Sequence, residues 1–283
     1  MNLLKPFYEM SNVNLKSLFP TGRESGLMPV LFVGHGSPMN AIEDNEFVIS
    51  WRKLGKSIPV PKAIVCISAH WETRGTYVTA MAKPATIHDF GGFPPELYKV
   101  IYPAPGSPEL AKKIKKTITN SEIGLNENWG LDHGAWSVIR NLFPEANVPV
   151  IELSLDYAKS PQNHYDLAKE LSYLRTRGVL IIGSGNIVHN LGMLTWDRNE
   201  AYFGFDWALN ANEIFKKLIL NGNYKELIDY PRLGRDVQLA VPTPDHYLPL
   251  LYSLAIKEEK EPIVIFNDRA VMGSLTMTSF MIG

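Results

Sequence analysis

Short apolar runs punctuated by glycine, proline and histidine recur along this chain. The first, MPVLFV over residues 28–33, stops at Gly34-His35-Gly36. A run this short with turn residues at its ends predicts a buried strand, and His35 then stands at the strand's carboxyl end. A second run, KAIVCIS over residues 62–68, ends in Ala69-His70. A third, over residues 179–182, leads through the glycine-bearing stretch GSGNIVHN to His189. Between the first two runs, Phe47, Val48, Trp51 and Leu54 recur at helical spacing within residues 44–54. A strand, helix and strand read in this order form a right-handed parallel unit, with both carboxyl ends, and so both histidines, at one edge of the sheet.

The same pattern extends along the chain. Strands are expected over residues 76–81, 148–155, 262–266 and 275–282, and helices over residues 107–117, after Asp132-His133 as far as Arg140, over 201–221, and after His246. Another helix opens at Ser160-Pro161 and closes near Gly178, with Leu167, Leu171 and Leu174 inward and His164 facing solvent in its first turn. Residues 1–27 read as an irregular arm. Alternating strands and helices define an α/β fold with a mostly parallel or mixed sheet.

Composition narrows the picture. A chain of 283 residues with 45% hydrophobic content and no low-complexity tract is expected to form a single domain, residues 1–283. With 28 basic and 29 acidic residues the net charge is −1, so no global field recruits nucleic acid or an anionic membrane. A small molecule is the expected partner. The only cysteine, Cys66, lies in an apolar run and reads as a buried small hydrophobe. The N-terminus lacks a continuous apolar segment and no later run is long enough to span a bilayer, so a cytoplasmic location is expected.

Candidate chemistry lies in the histidines. Four of the seven, His35, His70, His189 and His246, fall at element ends that a sheet presents to one crevice. Imidazoles without a cysteine partner suit zinc, iron, nickel or copper. His133 stands between Asp132 and Gly134 with Trp129 and Trp136 nearby, and Asp132 is placed to cap the helix that follows. His88 lies with Asp89, Phe90 and Phe93 in a loop rich in Gly and Pro, the kind of segment that carries binding groups over a scaffold. Rival motifs are poor. Gly183-Ser184-Gly185 opens like a dinucleotide turn, but Val188 occupies the third glycine position. Neither Ser37 nor Ser184 sits in a G-x-S-x-G elbow, and neither HExxH nor CxxC occurs.

The ordered stretches HGSPM (residues 35–39), SAHWET (68–73), HDFGGFP (88–94), LDHGAWS (131–137), GSGNIVHN (183–190) and TPDHYLP (243–249) resemble the 4,5-DOPA extradiol dioxygenases, a branch of the class III, LigB-like ring-cleaving enzymes. The likeness covers most of the chain from residue 28 onward; residues 1–27 lie outside it. It implies a three-layer α/β/α fold and one divalent metal, Fe(2+) or Zn(2+). The metal is implied to be held at His35 and His70, with His189 and His246 completing or bordering the sphere. It implies oxidative opening of a catechol such as L-DOPA between carbons 4 and 5 by O2, with His133 or His189 moving protons. His88, Phe90, Phe93, Trp129 and Trp136 are the candidates for substrate contact. Many class III enzymes use two histidines and a carboxylate, the pattern that favours Fe(II). Here the late ligand position holds His246, with Asp245 beside it. An all-imidazole set is easier to fill with zinc, which is redox-inert. A metal-binding protein without catalysis, or a zinc hydrolase using bound water, are the alternative readings.

Overall fold

The computed structural model describes residues 26–195 and 202–283. In chain order it contains β1 (Val30–Gly34), α1 (Glu46–Ser57), β2 (Ala63–Ser68), β3 (Glu72–Thr73), β4 (Thr76–Thr79), α2 (Pro108–Thr117), β5 (Ile123–Asn126), α3 (His133–Leu142), β6 (Val150–Glu152) and β7 (Leu155–Asp156). Then follow α4 (Pro161–Lys169), β8 (Val179–Gly185), α5 (Asp206–Asn221), α6 (Tyr224–Ile228), α7 (Arg235–Ala240), α8 (Leu248–Ala255), β9 (Ile263–Phe266), β10 (Ala270–Val271), β11 (Leu275–Thr276) and β12 (Ser279–Ile282). The expected arm falls almost wholly on residues 1–25, outside the described residues, as does the first residue of the helix expected over 201–221.

Six strands form the central sheet in the order β6-β2-β8-β1-β12-β9. The first four are parallel, while β12 runs antiparallel to both β1 and β9, so the sheet is mixed. Parallel strands are apolar on both faces because helices cover both. Accordingly, Val30 and Phe32 pack with Phe215, Leu250 and Leu251 on one side. Their neighbours Leu31 and Val33 pack with Trp51, Trp136 and Ile139 on the other. This is the three-layer arrangement, with α4, α5 and α8 on one face and α1 and α3 on the other. Cys66 is fully buried within it, as its run predicts.

Register positions the site. Gly34 pairs with Gly185, and Ser68 pairs with Ser184, so β1, β2 and β8 end side by side. Helices α1, α3 and α4 start on side-chain caps, two of them, Asp132 and Ser160, at positions expected from sequence. Asn45 accepts from the Val48 backbone N–H, Asp132 from Ala135, and Ser160 forms a reciprocal capping box with Asn163. The expected long strands over 148–155 and 275–282 are each broken in two. The helix opened by Ser160 stops at Lys169 and reaches Gly178 only through a separate 3-10 turn over 172–177, where Gly178 takes the left-handed conformation (φ 79°). Among the described residues, no helix is long and apolar enough to cross a membrane.

His164 corrects the sequence reading: it is buried, not solvent-facing. Its Nδ1 lies 2.9 Å from the Tyr252 hydroxyl and its Nε2 3.2 Å from the Asp156 carbonyl, so α8 packing over α4 covers it. Burial pushes the imidazole down from 6.5 to about 4. Between those values the unfolded chain takes up a proton that the folded chain refuses, so stability is complete above pH 6.5 and is lost as the pH falls toward 4. A His164→Gln variant is expected to lack about 2 kcal/mol of the wild-type stability change between about pH 7 and pH 5, read from urea unfolding. An unchanged pH slope would show that this histidine is not held neutral.

Candidate active site

The site forms where three of the parallel strands, β1, β2 and β8, end. His35 directly follows β1, and its backbone N–H continues the ladder by donating to the Gly185 carbonyl (3.0 Å). Gly34 is required there, since a Cβ on it would lie 2.7 Å from the Met277 carbonyl carbon. The Ser184 hydroxyl donates to the Gly134 carbonyl (2.6 Å), so toward His35 Nδ1, at 3.0 Å, it acts as acceptor. That assigns the proton of His35 to Nδ1 and leaves the Nε2 lone pair facing the crevice.

His70 follows β2 by one residue and brings its Nε2 to 3.1 Å from His35 Nε2. Two nitrogens sharing a metal at about 2.0–2.1 Å lie about 2.9–3.3 Å apart for bond angles between square and tetrahedral. The observed separation falls in that interval, and the donor set suits a borderline divalent ion. His246 precedes α8 in the loop after α7, and its Nδ1 hydrogen-bonds the Asp245 carboxylate, which directs Nε2 outward in the manner of a supported metal ligand. The ring centroids of His35, His70 and His246 form a nearly equilateral triangle, with sides of 5.0, 5.2 and 4.9 Å.

Two further imidazoles flank this triangle. His133, the first residue of α3, lies 3.9 Å from His70 between ring centroids. Its backbone N–H donates to Asp89 Oδ1 (2.8 Å), and its Nδ1 lies 2.9 Å from Asp89 Oδ2. His189 follows β8 and stacks on His246 at 3.4 Å with an interplanar angle of 5°. Ligand atoms of His35, His70 and His133 form one compact group, and those of His189, Asp245 and His246 another. Either group has the composition to hold a metal.

Electrostatics keeps these lone pairs free. Burial, aided by the neighbouring imidazoles, pushes His35 and His246 well below the usual histidine range. Burial and His133 push His70 down to about 3, and burial pushes His189 down to about 4. A neutral imidazole is the ligating form. Burial alone would raise the Asp89 carboxyl, but the two hydrogen bonds from His133 and the nearby imidazoles outweigh it and hold Asp89 below its ordinary value.

The aromatic candidates are spread over two regions. Phe90 lies 5.5 Å from the His133 ring, and Phe93 and Tyr98 pack on Phe90 at 5.3 and 5.2 Å. His88 donates from Nε2 to the Val100 carbonyl (3.0 Å) and packs beside Phe90 and Trp136. Trp136 is completely buried and donates to the Ile87 carbonyl, so its indole backs this wall from inside the core. Trp129 stacks on Trp71 and donates to Glu152 Oε2 (3.3 Å), on the far side of the Asp132 loop.

The sequence reading did not foresee the roles of Asp89 or Ser184 as orienting partners of histidines. Asp89 stands 44 positions before His133 and Ser184 stands 149 after His35, so no local spacing signals either pair.

An α/β sheet covered on both faces, gathering neutral imidazoles beyond adjoining strand ends, defines a metalloenzyme scaffold of the open-sheet type. The chain belongs to the LigB family, the catalytic LigB subunit of aromatic ring-opening dioxygenase, which matches residues 29–265. It is 46% identical over 261 residues to the 4,5-DOPA dioxygenase extradiol of Escherichia coli (strain K12), spanning 90% of this chain and 95% of that protein. It is 37% identical over 271 residues to the 4,5-DOPA dioxygenase extradiol of Beta vulgaris, spanning 91% of this chain and 99% of that one. A crystal structure of an uncharacterized protein from Escherichia coli K12 superposes with a TM-score of 0.79 at 41% identity, covering 90% of this chain and all of that one. The protein is an extradiol aromatic ring-opening dioxygenase, using O2 on a small aromatic substrate.

Proposed function

We propose that the substrate is a catechol of the L-DOPA class, opened between carbons 4 and 5, and that one divalent metal is held by His35, His70 and His246. The triangle of their rings, with the 3.1 Å approach of His35 and His70 Nε2, carries this reading. Iron(II), when bound there, supplies the one-electron chemistry that lets O2 react with a catechol, which zinc does not.

His189, expected from sequence to be either ligand or proton carrier, is assigned to proton transfer. Rings stacked in parallel planes direct their lone pairs side by side, so His189 and His246 do not converge on one ion. His133 is the second proton carrier. Asp89 holds the proton on Nδ1 and leaves Nε2 to accept the proton of a catechol hydroxyl. Phe90 and Phe93 supply the apolar face for the substrate ring and exclude water from it, with His88 at its border and Trp136 behind. Trp129 contributes through the Asp132 loop and not by ring contact.

The test is O2 uptake with L-DOPA by metal-free protein reconstituted anaerobically with Fe(II) or Zn(II). Uptake with iron alone and a yellow ring-opened product are expected. No uptake with either metal, in protein shown to be folded and loaded, would overturn the catechol reading in favour of a zinc hydrolase or a binding protein.

A further inference from the structure

Two carboxyls that the chemistry above does not use lie immediately behind the site. Asp132 and Glu152 are both completely shielded from solvent, and among the described residues neither pairs with a lysine or arginine. Glu152 ends β6. Its Oε1 accepts from the Asp132 backbone N–H (2.9 Å), its Oε2 from Trp129 Nε1 (3.3 Å), and its own N–H donates to Thr79 Oγ1 (2.8 Å). Asp132 Oδ1 accepts from the Ser68 hydroxyl (2.6 Å) and from Ala135 N–H (3.1 Å), while Asp132 Oδ2 has no donor among the described residues. Ser68 Oγ in turn accepts from the His70 backbone N–H (3.3 Å).

These bonds run from the edge of the sheet to the backbone that carries two of the five histidines. One branch reaches His70 through Ser68, and the other reaches His133, the next residue after Asp132. Packing closes the same junction. A Cβ on Gly134 would lie 2.5 Å from Ser68 Oγ and 2.9 Å from His70 Cδ2, so the first turn of α3 is moulded onto the end of β2. A displacement of the Asp132 loop therefore moves His133 relative to His70.

We infer that Glu152 is a positioning residue for the reaction, acting through Asp132 and Ser68 to fix the His133 imidazole beside His70. This rests on the proton-transfer role given to His133. Glu152 acts as a neutral carboxylic acid whose O–H is directed at Asp132 Oδ2, the acceptor otherwise lacking a donor. Burial raises Glu152 well above its ordinary value, and Asp132 beside it adds to the rise, which favours the protonated form that such a bond to Oδ2 requires. The titratable groups facing the pair are Asp89 and His133 from the site side, with the Cys66 thiol on β2.

The test compares Glu152→Gln, which keeps an acceptor for Asp132 N–H and a donor for Oδ2, with Glu152→Met, which fills the space and keeps neither. Glu152→Met is expected to lower kcat about tenfold or more with KM changed less than about threefold, metal content unchanged, while Glu152→Gln stays within about threefold of wild type. In metal-free protein, the nuclear Overhauser contact between the His70 and His133 rings should weaken in Glu152→Met and persist in Glu152→Gln. That second readout needs no turnover, so it stands even where the wild type fails to cleave catechols, which would count against the substrate reading alone. An unchanged kcat and ring contact in Glu152→Met would overturn the inference. So would loss of metal, stability and kcat together in both variants, which is the pattern of a merely structural role.

Discussion

His35→Ala and His70→Ala are each expected to abolish metal retention and turnover while leaving the fold largely intact. Each removes one of the three lone pairs proposed to hold the metal, and the 3.1 Å Nε2–Nε2 approach sets these two nitrogens on one position. Loss of one ligand from a three-imidazole site costs at least about 100-fold in metal affinity, more than loss of an outer partner. The fold survives because neither change orphans a buried donor. Without His35, the Ser184 hydroxyl still donates to Gly134 O; without the His70 ring, Ser68 still donates to Asp132. Metal content by elemental analysis, beside circular dichroism, reads both halves of the expectation. Full metal occupancy in either variant would remove these residues from the ligand set.

The second large effect separates chemistry from metal binding. His133→Ala is expected to keep its metal and lose turnover by about 100- to 10,000-fold, the span of general acid–base catalysis. Asp89→Asn is the finer probe. The amide oxygen can still accept from the His133 backbone N–H, but an amide N–H now faces Nδ1, so the ring proton moves to Nε2 and the imidazole can no longer accept there. Turnover should fall toward that of His133→Ala with little change in KM, since a reversed tautomer leaves the geometry in place. Wild-type kcat in Asp89→Asn would move the base to His189. Loss of metal in His133→Ala would instead make His133 a ligand beside His35 and His70, as the compactness of those three also permits.

Much of this was legible before the structure, for a specific physical reason. Buried parallel strands must be apolar on both faces, so 28–33, 62–68 and 179–182 stand out as uninterrupted runs, and a residue that breaks such a run is displayed at the sheet's edge. That logic placed His35, His70 and His189 in one crevice, and the loop before α8 added His246. The caps Asp132 and Ser160 are local devices, readable within a few positions. His164 failed because helical spacing alone gave no sign that α8 would lie across the first turn of α4; Tyr252, 88 positions later, supplies the burial.

What the sequence determined by itself is the set of parts: an α/β alternation, histidines at strand ends, and ordered motifs similar to one family of ring-opening dioxygenases. Tertiary structure alone decided how those parts are used. Which histidines converge, which are stacked in parallel, which proton each imidazole keeps, and that two carboxyls lie behind them with no lysine or arginine partner among the described residues all depend on contacts between residues 20 to 150 positions apart. Periodicity reports whether a side chain faces the core, but the direction of a lone pair is set by the group that takes the other nitrogen's proton, and that group arrives only when the chain has folded.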